Sequence, residues 1–85
     1  MSYAVVWHPN AEAALTRIWL GARDRQRVSE AAERINQRLQ VNPLGAGESR
    51  EEDFRVVFDA PILVEFQVIE SEQLVQELFV RRTKR

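Results

Sequence analysis

Six basic side chains lie in the C-terminal half of this sequence: Arg50, Arg55, Arg81, Arg82, Lys84 and Arg85. Guanidinium and ammonium groups bring charge and N–H donors to an anion. Their surroundings are acidic, because residues 48–80 hold two Arg against nine Asp and Glu, whereas residues 1–47 hold six Arg against four. The net charge is -1. A non-specific nucleic-acid binder is usually far more basic, so any contact with phosphate has to be local. Glu65 and Glu77 also offer Arg55 and Arg81 a plain alternative, a cross-strand ion pair.

Other chemistries are scarce. There is no Cys, which removes disulfides and thiolate metal sites, and His8 is the single His, which disfavours a His-based triad or metal centre. Beside Pro9, His8 reads as a strand-end or capping residue. The run Glu51-Glu52-Asp53 lacks the alternate oxygen ligands and closing Glu of a calcium loop. No metal or cofactor is expected. No apolar stretch has the length of a membrane span and no leader pattern opens the chain, so a cytoplasmic protein without membrane contact is the expectation.

The elements that position these residues follow from periodicity. At 85 residues the chain reads as one domain, 1–85, with a small core that hides somewhat more than ~60% of the unfolded surface. Tyr3-Ala4-Val5-Val6-Trp7 is a strand signal with Tyr3, Val5 and Trp7 on one face. Pro9 or Asn10 then opens a helix whose stripe is Ala11, Ala14, Leu15, Ile18 and Trp19, stopped near Gly21. A second helix starts near Asp24, carries Val28, Ala31, Ala32, Ile35 and Leu39 on its stripe, and closes at Asn42-Pro43. Alanines in both stripes let the two helices pack closely as a hairpin. Trp7 and Trp19 read as core.

Residues 42–53 form a long connection with two glycines, part of it belonging to an extension of the next strand. Three strands follow: 54–58, 62–69 and 74–80. Alternation places Phe54, Val56 and Phe58 with Ile62, Val64, Phe66 and Val68 under the helices. It places Arg55, Val57, Asp59, Leu63, Glu65, Gln67, Ile69, Val75, Glu77, Phe79 and Arg81 on an open face. That face is half apolar and carries both signs of charge, which suits a protein partner.

The order strand, helix, helix, strand, strand, strand carries a family resemblance. So do Trp7-His8-Pro9-Asn10-Ala11, Asn42-Pro43, Gly47-Glu48-Ser49-Arg50, Arg55-Val56 and Phe66-Gln67-Val68-Ile69. Over nearly its whole length the chain resembles the RelE/ParE toxin superfamily of type II toxin-antitoxin, or plasmid stabilisation, modules. The resemblance implies an α+β fold, βααβββ, in which a four-stranded mainly antiparallel sheet is covered on one face by a helical hairpin. It also implies a cognate antitoxin as partner and one of two targets. ParE-like members bind DNA gyrase; RelE-like members cut mRNA on the ribosome.

Cutting RNA needs a base for the 2′-hydroxyl, cations for the phosphorane and an acid for the leaving oxygen. Carried over, Arg55, Arg81 and Arg82 become the catalytic candidates if the chain is a nuclease, with Arg50 and Lys84 as nucleic-acid contacts. The sequence departs from the nuclease pattern at Ile62-Leu63, where Tyr-Arg is usual, and no Tyr or His follows His8. The expectation is therefore a toxin that grips a protein such as gyrase and inhibits growth until its antitoxin binds. A ribosome-dependent endonuclease and a degenerate, non-toxic member are the alternatives, and the choice between homodimer and hetero-oligomer with antitoxin stays open.

Overall fold

The computed structural model describes residues 2–51 and 53–83, with the side chains of all of these except Arg50 and Glu51. The elements run β1 (Ala4–Trp7), α1 (Pro9–Gly21), α2 (Arg25–Val41), α3 (Pro43–Ala46), β2 (Glu48–Glu51), β3 (Phe54–Asp59), β4 (Ile62–Ile69), a 3-10 turn (Glu70–Glu72) and β5 (Leu74–Arg82). The strands form one sheet in the order β1-β5-β4-β3-β2. Strands β2 to β5 pair antiparallel, and β1 returns parallel to β5 at the far edge.

Local chemistry sets the helix ends. His8 caps α1, its Nδ1 accepting the Asn10 N–H at 3.0 Å, and Pro9 fills the first turn, where a missing N–H costs nothing. At the other end of α1, Arg25 donates to the carbonyls of Trp19 (3.1 Å) and Leu20 (3.0 Å), groups a helix terminus leaves without partners. Its guanidinium also lies 4.6 Å from the Trp19 ring centroid. Trp19 is thus a partly exposed platform at the helix turn and not core. Asp24 caps α2 by accepting the Arg27 N–H at 3.2 Å.

The core lies between the helices and one sheet face. Ala11 and Ala14 of α1 and Val28, Ala31, Ala32, Ile35 and Leu39 of α2 meet Val57, Ile62, Val64, Phe66, Val68, Val75 and Val80. Small alanines at the contact bring the helix backbones close to the sheet. Each large side chain fully buried here, Phe66 or Ile35 for example, contributes about 1.5–3 kcal/mol.

The sheet has five strands where the sequence reading expected four. The connection 42–53 folds as the one-turn α3, whose Gly45 N–H donates to Asn42 Oδ1 at 3.2 Å, followed by β2 on β3. Gly47 permits this close approach: a Cβ there would collide with the Val56 carbonyl oxygen and press on Phe66. A strand with no apolar alternation, Glu48-Ser49-Arg50-Glu51, leaves little periodic signal.

Two face assignments are corrected. Val57 pairs with Val64 and is 2% exposed, whereas Phe54 and Phe58 are 42% and 57% exposed, so β3 is turned over relative to expectation. Both of its faces carry apolar residues, and alternation alone does not choose between them. What favours the observed face is Arg34 of α2, which forks onto Asp59 at 2.8 and 2.9 Å and binds the Asp59 side of β3 to the helices. In β5, Glu65 pairs with Phe79 but Phe66 pairs with Glu77, which leaves Leu78 as an extra, bulged residue. Phe79 and Arg81 therefore face outward as expected, while Val75 and Glu77 face the core.

Candidate functional site

The uncovered sheet face holds a groove of about 700 Å³ lined by Phe54, Val56, Leu63, Glu65, Leu78 and Arg81, with Arg55 and Phe66 also contributing to its wall. Its centre is an ion pair. Arg81 donates to the same Glu65 oxygen from Nε at 3.1 Å and from an Nη at 2.9 Å. The strands place the two side chains together because Leu63 pairs with Arg81 and Glu65 with Phe79 on adjacent antiparallel strands. The same sheet face carries the exposed apolar groups Phe54, Phe58, Phe79 and, on the outer strand, Val6.

The predicted cations are not gathered here. Arg55 pairs with Phe66 and shares its covered face, and Arg82 pairs with Ile62, which is also a covered-face residue. Of the three catalytic candidates, Arg81 alone occupies an open-face register position, and it is already paired with a carboxylate; Arg55 reaches the groove wall from the covered-face register. The side chain of Arg50 and all of Lys84 lie outside the described residues. The expected pairing of Arg55 with a strand Glu does not occur among the described residues, since Glu65 is taken by Arg81 and Glu77 is buried. His8, expected as a capping residue, has that role.

The electrostatics separate into an anchored pair and a stranded acid. The Arg34 hydrogen bonds hold the Asp59 carboxyl below its usual range, and Asp59 in turn raises Arg34. Glu77 is fully buried, neither carboxyl oxygen has a hydrogen-bond partner among the described residues, and burial pushes its pKa up to about 8. Sequence reasoning missed Glu77 and the exposed face of β3. A bulge leaves no composition signal for the first, and the second was legible only through Asp59 as a possible ion-pair partner of the second helix. Among the described residues, no helix is long and apolar enough to cross a membrane.

Chemically, a groove with one neutralised cation and an aromatic rim is suited to burying apolar side chains. Among the described residues its lining holds two cations, Arg55 and the Glu65-paired Arg81, where phosphoryl chemistry requires several converging on one site.

No family model and no curated relative matches the sequence. Solved structures do. The chain superposes on a chain of the toxin-antitoxin complex RelBE2 from Mycobacterium tuberculosis with a TM-score of 0.82 at 15% identity, covering 100% of this chain and 95% of that one. For the chromosomal ParDE system of P. aeruginosa the TM-score is 0.72 at 22% identity, with 98% of each chain covered. The isolated E. coli RelE toxin gives 0.71 at 17% identity, covering 99% of this chain and 87% of that one. The fold is therefore that of the RelE/ParE toxins, as the sequence motifs implied, with RelE and ParE structures both among its neighbours.

Proposed function

We propose that this chain is the toxin component of a type II toxin-antitoxin module, and that it acts in the cytoplasm by gripping a protein target such as DNA gyrase until a cognate antitoxin neutralises it. The toxin-antitoxin role rests on the fold and on the motif order, since its structural neighbours include chains from RelBE2 and ParDE complexes. The preference for gripping over cutting rests on one observation. Arg81 at its open-face position is neutralised by Glu65, and Arg55 belongs to the covered-face register and meets the groove only at its wall.

A transferring phosphoryl group needs several cations converging on it from one side. Here a phosphate entering the groove would meet Glu65 beside Arg81. A protein side chain would instead meet Phe54, Phe79 and Leu63, with the ion pair fixing orientation, which is the composition of a binding patch.

Two assays on the purified chain test the reading. Gyrase supercoiling is expected to fall on titration with the chain, and mRNA on programmed ribosomes is expected to stay intact. Ribosome-dependent cleavage that Arg81→Ala abolishes would replace this reading with the nuclease one. If the chain affects neither gyrase nor growth, the non-toxic alternative stands.

A further inference from the structure

Glu77 is the one charged side chain in the buried set among the described residues. On β5 it lies between Trp7 of β1 and Phe66 of β4, under α1, with both oxygens unpartnered. The other buried core residues are apolar; among partly buried residues, Tyr3, just before β1, packs against the core and Asn36 of α2 has a buried Oδ1 with no partner among the described residues. From α1, Ala11, Ala14, Leu15 and Ile18 pack on the core, while Glu12 and Arg17 are exposed. From α2 the core residues are likewise apolar, and Arg27, Glu30, Glu33, Arg34 and Arg38 are exposed. His8 donates its backbone N–H to the Glu77 carbonyl at 2.8 Å, but its ring Nδ1 is engaged as the cap of α1. On β3, Arg55 shares the covered face and stands on the far side of Phe66. Burial without a partner disfavours the charged form, so the carboxyl is held protonated, with a pKa of about 8.

The next residue is Leu78, the extra residue of the bulge, half-buried and lining the groove on the opposite face. A bulge decides which of two neighbouring side chains faces inward. Were Gln76 the extra residue, the pairs Val68 with Val75 and Glu65 with Phe79 would remain as they are. The segment between them would re-pair on β4, Gln67 with Glu77 and Phe66 with Leu78, and β1 would give up its present pairing with Gln76 and Glu77. The core would then hold a leucine where it now holds an acid. The observed register is held by β1, through the pairing of Val6 with Gln76 and Trp7 with Glu77.

We propose that β5 is a two-register strand, in which ionisation of Glu77 moves the bulge from Leu78 to Gln76, exchanges Glu77 for Leu78 against Phe66, and delivers the carboxylate to the open face opposite Gln67. The new charge lands near the Glu65–Arg81 pair and makes the groove more acidic. The sign follows from linkage. An acid whose pKa is raised above its ordinary value of 4.5 favours its buried register fully below that value, and the advantage is lost as pH rises through about 8. Across that window the exchange equilibrium moves toward the outward register by up to about tenfold per pH unit.

The test is NMR on the full chain, uniformly labelled and dissolved in deuterium oxide, reading cross-strand Hα and side-chain contacts of Phe66 at about pH 6 and about pH 9.5, either side of the transition. Phe66 is expected to contact Glu77 at the lower pH and Leu78 at the higher, and Glu77→Gln is expected to keep the first pattern at both. The proposal is overturned if the folded chain keeps the Phe66–Glu77 contacts at high pH, if Glu77→Gln shows the same exchange, or if the wild type simply unfolds where Glu77→Gln does not. Leu78→Ser supplies a check that does not depend on the Glu77 variant folding. Without an apolar residue to move inward, raising the pH should unfold this variant, and an exchange at the wild-type pH would count against the mechanism.

Discussion

Arg55 and Arg81 occupy opposite faces of the same sheet, Arg55 beside Phe66 over the core and Arg81 beside Leu63 in the groove. The separation is a matter of strand parity, although both residues contribute to the wall of the groove. Arg81 keeps its geometry by pairing with Glu65, and the aromatic groups around that pair dominate the exposed face.

Binding should therefore depend on the aromatic rim. Phe58→Ser and Phe79→Ser are each expected to weaken binding of antitoxin or target by tenfold or more, about 1.4 kcal/mol, as for anchors in a desolvated patch. Arg55→Ala should leave binding within about twofold. Titration calorimetry with the purified partner reads both, and an Arg55→Ala loss larger than that of the two phenylalanines would refute the assignment of the face.

The Glu65–Arg81 pair should matter more for orientation than for stability. Arg81 is 65% exposed and Glu65 34% exposed at the side chain, so a double-mutant cycle with Glu65→Gln and Arg81→Gln is expected to give a coupling of about 0.2–1 kcal/mol in urea unfolding. A coupling near zero would mean the pair does not persist in solution.

Arg34 and Asp59 link stability to acid. Because the folded carboxyl is held below its ordinary value, its contribution is present above that value and is lost as pH falls through the lowered one. Asp59→Asn should remove this part of the acid limb, so that the stability gap between wild type and variant narrows as pH is lowered. Denaturant midpoints measured from neutral to strongly acidic pH check it, and a pH-independent gap would show that the ion pair contributes nothing.

Gly47 should tolerate no side chain. A methyl group there meets the Val56 carbonyl and Phe66, so Gly47→Ala is expected to cost about 1–3 kcal/mol and to loosen β2 from β3. Hydrogen exchange at Ser49 and the unfolding midpoint report the two effects. Wild-type stability in the variant would show that the connection can shift to make room.

Much of this fold was legible before the structure. Helical stripes were clear because Ala11, Ala14 and Leu15, and then Val28, Ala31, Ala32, Ile35 and Leu39, recur at a single period, and Asp24 and His8 sit where caps belong. Strand β4 was clear for the same reason, its alternation matching burial residue by residue. Strand β3 was ambiguous because both faces are apolar, and a tertiary contact from Arg34 chooses between them. Strand β5 breaks its own alternation at Leu78, an event that depends on its two neighbours and leaves no local trace. The site shared both uncertainties, which is why a predicted row of arginines became one carboxylate-paired arginine in the open-face register, one buried acid and an aromatic rim.

The most direct measurement of the central claim is pulse-labelling of DNA and protein synthesis after inducing this chain in bacteria, with and without the adjacent open reading frame. The account predicts that DNA synthesis stops first, that translation continues until later, and that co-expression of the neighbouring frame restores growth. Translation stopping first, with mRNA cut at ribosomes, would contradict it.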